Sequence, residues 1–178
     1  MLNRSKYELC CLGKTVPSDI RADVLWTIKA YRLSLFLSDI TWLDIGKLAG
    51  ATGMKSLSDQ LYRSVGSICA NIEEGYSKFS TKDTARFYEY ALGSARESRG
   101  WYYRARHILG VEVTDHRMAI LTDIIRLLLT MVPDQRGASI KEDSPEYLVL
   151  EITDIDVPFN YSLLNTDYDY EQTRCVDC

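Results

Sequence analysis

No apolar run in this sequence reaches the roughly 18 residues that a membrane-spanning helix needs. The best stretch, Ile124 to Val132, is interrupted by Arg126. Near the N-terminus, Leu9-Cys10-Cys11-Leu12 follows Arg4 and Lys6 but is too short for the apolar core of a signal peptide. The five cysteines are an odd number without a secretory signal, so they are expected as reduced thiols of a cytoplasmic protein. Histidine is scarce. Only His107 and His116 occur, and Arg104 and Val113 stand three residues before them, so the Glu-x-x-His pair of di-iron bundles is missing. Both are read as surface residues near a helix turn. Gly-rich phosphate loops and His-Glu-x-x-His are missing too. Glu73-Glu74 could suggest acid–base work, but adjacent helical residues point about 100° apart, so the pair is read as a solvated helix end with a capping contact. Cys175-Val176-Asp177-Cys178 is half of a zinc site, and the neighbouring Cys10 and Cys11 are poorly placed to complete it on one metal. The expectation is a chain with no catalytic residue, no cofactor and no metal.

What is present is the mix of an ordinary globular protein, with 26% charged and 46% hydrophobic residues. The net charge of -4 hides a division. Residues 1–137 hold 19 Lys and Arg against 15 Asp and Glu, whereas residues 138–178 hold only Lys141 and Arg174 against ten acids. A mildly basic body thus carries a tail of charge -8.

Apolar periodicity predicts an all-α protein: an antiparallel four-helix bundle with a long first helix and an irregular acidic C-terminal tail. Residues 1–18 read as an arm, 19–137 as the bundle and 138–178 as the tail. From Asp19 to about Gly50 nothing stops a helix, and Val24, Ile28, Tyr31, Leu35, Ser38, Trp42, Ile45 and Ala49 form a stripe at alternating steps of four and three. A second stripe, Leu33, Phe36, Leu37, Ile40 and Leu43, falls on nearly the opposite side. One core needs one buried face per helix, so this second stripe is assigned to an oligomer interface. A second helix is expected over roughly 57–74, burying Leu57, Leu61, Val65, Ile68 and Ile72, with Gly75 as a left-handed C-terminal cap. Ser80 to Asp83 resembles a capping box opening a third helix to about Leu109, burying Phe87, Ala91, Ser94, Ser98, Trp101, Ala105 and Leu109. Thr114 or Asp115 is expected to cap a fourth helix, with Met118, Leu121, Ile125, Leu128 and Val132 inside and Pro133 ending it. In the tail, Tyr147 to Ile152 has strand character, and Tyr161, Tyr168 and Tyr170 punctuate the acids.

The third helix carries the one constellation that suggests binding chemistry. Arg96, Arg99, Tyr103 and Arg106 are spaced three, four and three, so they share a face, placed opposite the apolar stripe. Guanidinium groups beside an aromatic ring suit phosphate contact with base stacking. The plainer reading is a solvated basic face tethered by acids such as Glu97.

The second helix also carries a recognisable pattern. Gln60-Leu61-Tyr62-Arg63, followed by Ser67-Ile68-Cys69-Ala70-Asn71-Ile72-Glu73-Glu74-Gly75-Tyr76, resembles the signature of a bacterial four-helix-bundle family encoded in intervening sequences of large-subunit ribosomal RNA genes. Relatives of that family include the accessory variability proteins of diversity-generating retroelements. Arg86-Phe87, Ala91-Leu92-Gly93-Ser94 and Glu97 also fit its third helix, and Trp26 and Tyr31 its first, so the likeness spans about residues 24–132. Cys69 stands where the family usually has Pro, and Glu73 where it has Ala. The resemblance implies a ring-like homopentamer without enzyme activity. In the retroelement branch it implies a basic barrel that binds RNA and a reverse transcriptase. Asn71, Glu74 and Gly75 are read as stabilising the corner between the second and third helices.

Two functional readings follow. The first is an oligomeric, RNA-binding accessory protein presenting Arg96, Arg99 and Arg106 to phosphates and Tyr103 to a base, with a reverse transcriptase as a protein partner. The second is an interaction scaffold that acts through its acidic tail and binds no nucleic acid. Because the four helices pair their apolar faces among themselves, truncation after Gly137 should leave the helical circular-dichroism signal and a cooperative melt in place. Loss of the melt would show that the tail supplies core.

Overall fold

The computed structural model describes residues 16–136. All regular elements among them are helical: α1 (Ser18–Ala22), a 3-10 turn (Val24–Thr27), α2 (Lys29–Ala49), α3 (Lys55–Tyr76), α4 (Thr81–Leu109) and α5 (Val111–Arg136). Helices α2 to α5 make the four-helix bundle. Each packs on the next, and α2 closes the ring against α5. The connections are short, so successive helices run antiparallel. The N-terminal arm before residue 16 and the tail from residue 137 lie outside the described residues, as do the strand-like segment and the Cys175–Cys178 pair.

The first helix is not continuous from Asp19. Asp23 adopts an extended conformation (φ -70°, ψ 142°), and its carboxylate accepts a hydrogen bond from the Leu25 amide at 2.8 Å. Ile28 is extended as well, so α2 starts only at Lys29. The local side-chain-to-backbone bond gives the chain an alternative to helix, as Asp commonly does.

The second stripe of this helix lies in the core of the single chain rather than on an outer face, and the first stripe is partly covered, with Tyr31 buried and Leu35 and Ile45 packed against the same core. Leu33, Leu37 and Ile40 are buried inside the single chain, Leu37 completely, and Phe36 packs half-buried against the same core. Leu43 is also half-buried. These five residues therefore form no free face for another copy. The α2 core comprises Ala30, Leu33, Ser34, Leu37, Ile40, Thr41, Asp44 and Leu48, with Tyr31 enclosed near its start. On the opposite stripe Trp42 is 63% exposed, Ala49 is exposed, and Leu35, Ser38 and Ile45 are only half-covered. The sequence offered two apolar faces. The polar residues interleaved with the Leu33 stripe (Ser34, Thr41, Asp44) disguised it as the outer one.

Helix α3 buries Leu61, Val65, Ile68 and Ile72 as expected, with Leu57 half-buried. Gly75 is not a left-handed cap. It is the penultimate residue of the helix, and the positive-φ glycines among the described residues are Gly53 and Gly110. Its requirement is steric, since a Cβ there would come 2.9 Å from Tyr88 Cε1 and 3.0 Å from Phe87 Cβ. The helices continue to pack closely along their length, where Ser98 Oγ donates to Ser64 Oγ at 2.9 Å between α4 and α3.

Ser80 caps α4, its hydroxyl accepting from the Asp83 amide. Tyr88, Leu92, Ala95 and Tyr102 join Ala91, Ser98, Ala105 and Leu109 in the core, whereas Phe87, Ser94 and Trp101 sit at its edge. Gly110 (φ 87°) reverses the chain in one residue, so α5 begins at Val111, ahead of the expected cap at Thr114 or Asp115. Thr114 is instead within the helix and donates to the Gly110 carbonyl at 2.8 Å. Pro133 does not end α5, which runs on to Arg136. A proline there forfeits one backbone bond near the helix end, where few further bonds depend on it.

Gly75 and Gly93 should respond to alanine in opposite directions. Gly75→Ala forces a methyl into the α3–α4 contact and should cost about 1–3 kcal/mol. Gly93, where a Cβ meets nothing within 4 Å, should gain up to about 1 kcal/mol from the better helix former. Urea midpoints of the two variants check this, and equal shifts would refute the steric account.

Candidate nucleic-acid interface

The side of α4 that faces solvent is set by its core residues. With Ala95, Ser98, Tyr102 and Ala105 turned inward, Arg96 and Tyr103 are exposed, and Arg99 and Arg106 are half-buried. The four lie together as expected, but on the shoulder of the helix beside the core rather than opposite it. Arg106 lies over the neighbouring ring: its guanidinium carbon is 3.9 Å from the Tyr103 ring centroid, and Nη1 donates to the Tyr103 carbonyl at 2.6 Å. Tyr103 remains 55% exposed. Arg96 is engaged within the chain. From Arg96 to Arg106 there are four arginines and one acid, Glu97.

Two further guanidinium–aromatic pairs escaped the sequence reading. Arg104 lies 4.7 Å over the Trp101 ring, whose Nε1 donates to Glu97 at 3.1 Å. Arg86 lies 5.5 Å over Tyr90 and donates from Nε to its hydroxyl at 2.7 Å. The available signal was the spacing of Arg and aromatic residues by three or four along one helix. It was overlooked because Trp101 was assigned wholly to the core. Nearby, Lys78 sits 4.5 Å over Phe87.

The motif residues are placed differently from one another. Asn71 donates to the Ser67 carbonyl at 2.7 Å, one turn back within α3 rather than at the corner. Glu74 is exposed at the helix end, and Gly75 admits α4. Cys69 is buried, its Sγ donating to Glu73 at 3.6 Å. Burial pushes its thiol up to about 12, which makes it a poor nucleophile near neutral pH.

Beneath the interface lies a polar group of residues that sequence reasoning missed. Asp44 accepts from Arg117 Nε at 2.9 Å and from Nη2 at 3.2 Å, both side chains being 3% exposed. Tyr102 donates its hydroxyl proton to Asp44 at 2.9 Å, and Thr41 Oγ1 lies 2.7 Å from that hydroxyl. Burial, then the Asp44 charge, holds the Tyr102 phenol well above its ordinary range. His116 is buried here, not on the surface, and its Nδ1 accepts from Arg117 Nη1 at 2.7 Å. His107 is exposed as expected. Every member has a partner within the cluster, so it reads as a joint between helices. Among the described residues no group of three His, Cys, Asp or Glu side chains could hold a metal ion, and no helix is long and apolar enough to cross a membrane.

The model of one protein family, the 23S rRNA-intervening sequence proteins, matches residues 30–129. The chain belongs to that family. The matched span runs from the start of α2 into the second half of α5, and so takes in the buried joint, the Asn71–Gly75 motif and the whole arginine shoulder of this 23S rRNA-intervening sequence protein. No curated protein and no solved structure matches.

Removing one member of the buried pair strands the other charge, so Asp44→Ala should lose about 3–5 kcal/mol. The double variant Asp44→Leu with Arg117→Leu should lose much less than the two single changes together. Urea unfolding of the three variants measures the coupling, and additive losses would show that the pair acts independently.

Proposed function

We propose that this 23S rRNA-intervening sequence protein is a non-enzymatic, oligomeric RNA-binding protein of the cytoplasm. The observation that carries the reading is the arginine shoulder of α4, where Arg96, Arg99 and Arg106 gather beside exposed Tyr103. Phosphates meet the guanidinium groups, and an unpaired base meets the tyrosine ring. Family membership supports an association with ribosomal RNA. A reverse transcriptase is the protein partner in the retroelement version of this reading.

Self-association uses the outer stripe of α2. Leu35, Ser38, Trp42, Ile45 and Ala49, half-covered or exposed, keep strict steps of three and four, the spacing of a helix–helix seam. Trp42 extends the seam onto α3 through an edge-on contact of 5.9 Å with exposed Tyr62. A second copy, being built of helices, offers the matching ridge.

Both parts are testable. Light scattering of the full chain should give a multiple of 20.4 kDa, and Trp42→Glu with Tyr62→Glu should return it to one copy. A monomeric parent chain would overturn the assembly. RNA binding should weaken as salt rises, because phosphate neutralisation releases counterions. Reversing Arg99 and Arg106 to Glu should weaken it across sequences, and Tyr103→Ala should cost about 1–3 kcal/mol. Deleting residues 138–178 should tighten binding, since it removes a charge of -8. Anisotropy titrations at low salt read each effect. The absence of binding by both full-length and truncated chains would favour the scaffold that acts through its acidic tail.

A further inference from the structure

The outer ridge of α4 carries an arrangement that general phosphate attraction does not need. Arg86 and Arg104 are 18 residues apart, about five helical turns, so they share one azimuth and stand about 27 Å apart along the ridge. Each is laid against an aromatic neighbour, Tyr90 or Trp101. Between them the ridge has two glycines. A side chain at Gly93 would meet nothing within 4 Å, and one at Gly100 would meet Arg104 Nη1 at 3.4 Å. Gly100 thus lies directly beneath the Arg104 guanidinium, where a larger side chain would share its space. Glu97 accepts the indole N–H at 3.1 Å, so the ring, the guanidinium over it and the bare backbone form one step.

A guanidinium lying flat on a ring has one face covered and the other open, with its N–H edge still able to donate. The open face is a stacking surface for a planar π system, and the edge suits a phosphate. A duplex conceals its base faces and could use only the edges. A single strand offers faces and phosphates at once.

We propose that Arg104, lying over the Trp101 ring that Glu97 bonds through its N–H, is a base-stacking site for single-stranded RNA. This rests on the RNA-binding reading above and names its ligand: unpaired strands rather than helices.

Arg104→Lys separates charge from stacking, because lysine keeps the cation but has no flat face. The full chain is titrated by anisotropy with a labelled oligouridylate of about ten nucleotides, with an abasic ribose-phosphate strand of equal length, and with a blunt RNA duplex. The parent chain should prefer the oligouridylate. Arg104→Lys should weaken that complex by about 5- to 100-fold, leaving its salt slope and abasic-strand binding unchanged. Gly100→Leu, which fills the space beneath Arg104 with a good helix former, should reproduce the loss. Melting curves confirm that both variants fold.

Equal affinity of the parent chain for duplex and oligouridylate would overturn the inference while leaving RNA binding intact. So would unaltered oligouridylate binding by Arg104→Lys. A change in light-scattering mass on Arg104→Lys would also overturn it, by assigning the ridge to a second copy of the chain. Failure of the parent chain to bind any of the three probes would take the RNA reading and this inference down together.

Discussion

The charge of Asp44 lies inside the bundle, on the stripe of α2 that also carries Leu37 and Leu48, and it is met by Arg117 from α5 and Tyr102 from α4. An unpaired carboxylate there would be severely penalised by desolvation, so the low-energy arrangements are those that bring all three helices into one register. Apolar side chains alone tolerate sliding or rotation by a residue. A bidentate guanidinium–carboxylate pair with a tyrosine on the same oxygen does not. The choice between the two apolar faces of α2 follows from this, because turning Asp44 inward takes Leu33, Leu37 and Ile40 with it and leaves Trp42 outside.

The same joint decides what α4 shows to solvent. Tyr102 is enclosed by its bond to Asp44, which fixes the rotation of the helix. Small residues then set its distance from α3, with Ser98 against Ser64 and Gly75 under Tyr88. Once Tyr102 points inward, its neighbours Trp101 and Tyr103 fall to either side, each carrying an arginine three residues on. The aromatic–guanidinium pairs thus stand on a helix whose inner side is packed.

Much of this was legible in the sequence. The order of the helices, the Ser80 cap and the α3 core followed from strong periodicity and punctuation. The inner stripe of α2 did not, because period alone cannot rank two apolar faces, and Asp44 counts against burial until its partner 73 residues away is known. His116 was misplaced for the same reason, since its burial depends on Arg117 and the α2 joint. Gly75 was recognised as special but for the wrong cause. A glycine admitted for close approach and one required for positive φ look alike in sequence. At the interface, the Arg96–Arg106 spacing was visible, whereas Arg104 on Trp101 required knowing that the indole sits at the core edge.

Gly110 joins the two longest helices through a single residue of positive φ. A side chain there would be strained, whereas the same residue in helical conformation would not be. Straightening this one position fuses α4 and α5 into a continuous rod whose two apolar stripes can no longer fold back on each other. The bundle could then be rebuilt only by borrowing α5 from a neighbouring molecule. The boundary between a self-contained bundle and a domain-exchanged assembly therefore rests on the backbone conformation of one residue, at the shortest junction between the bundle helices.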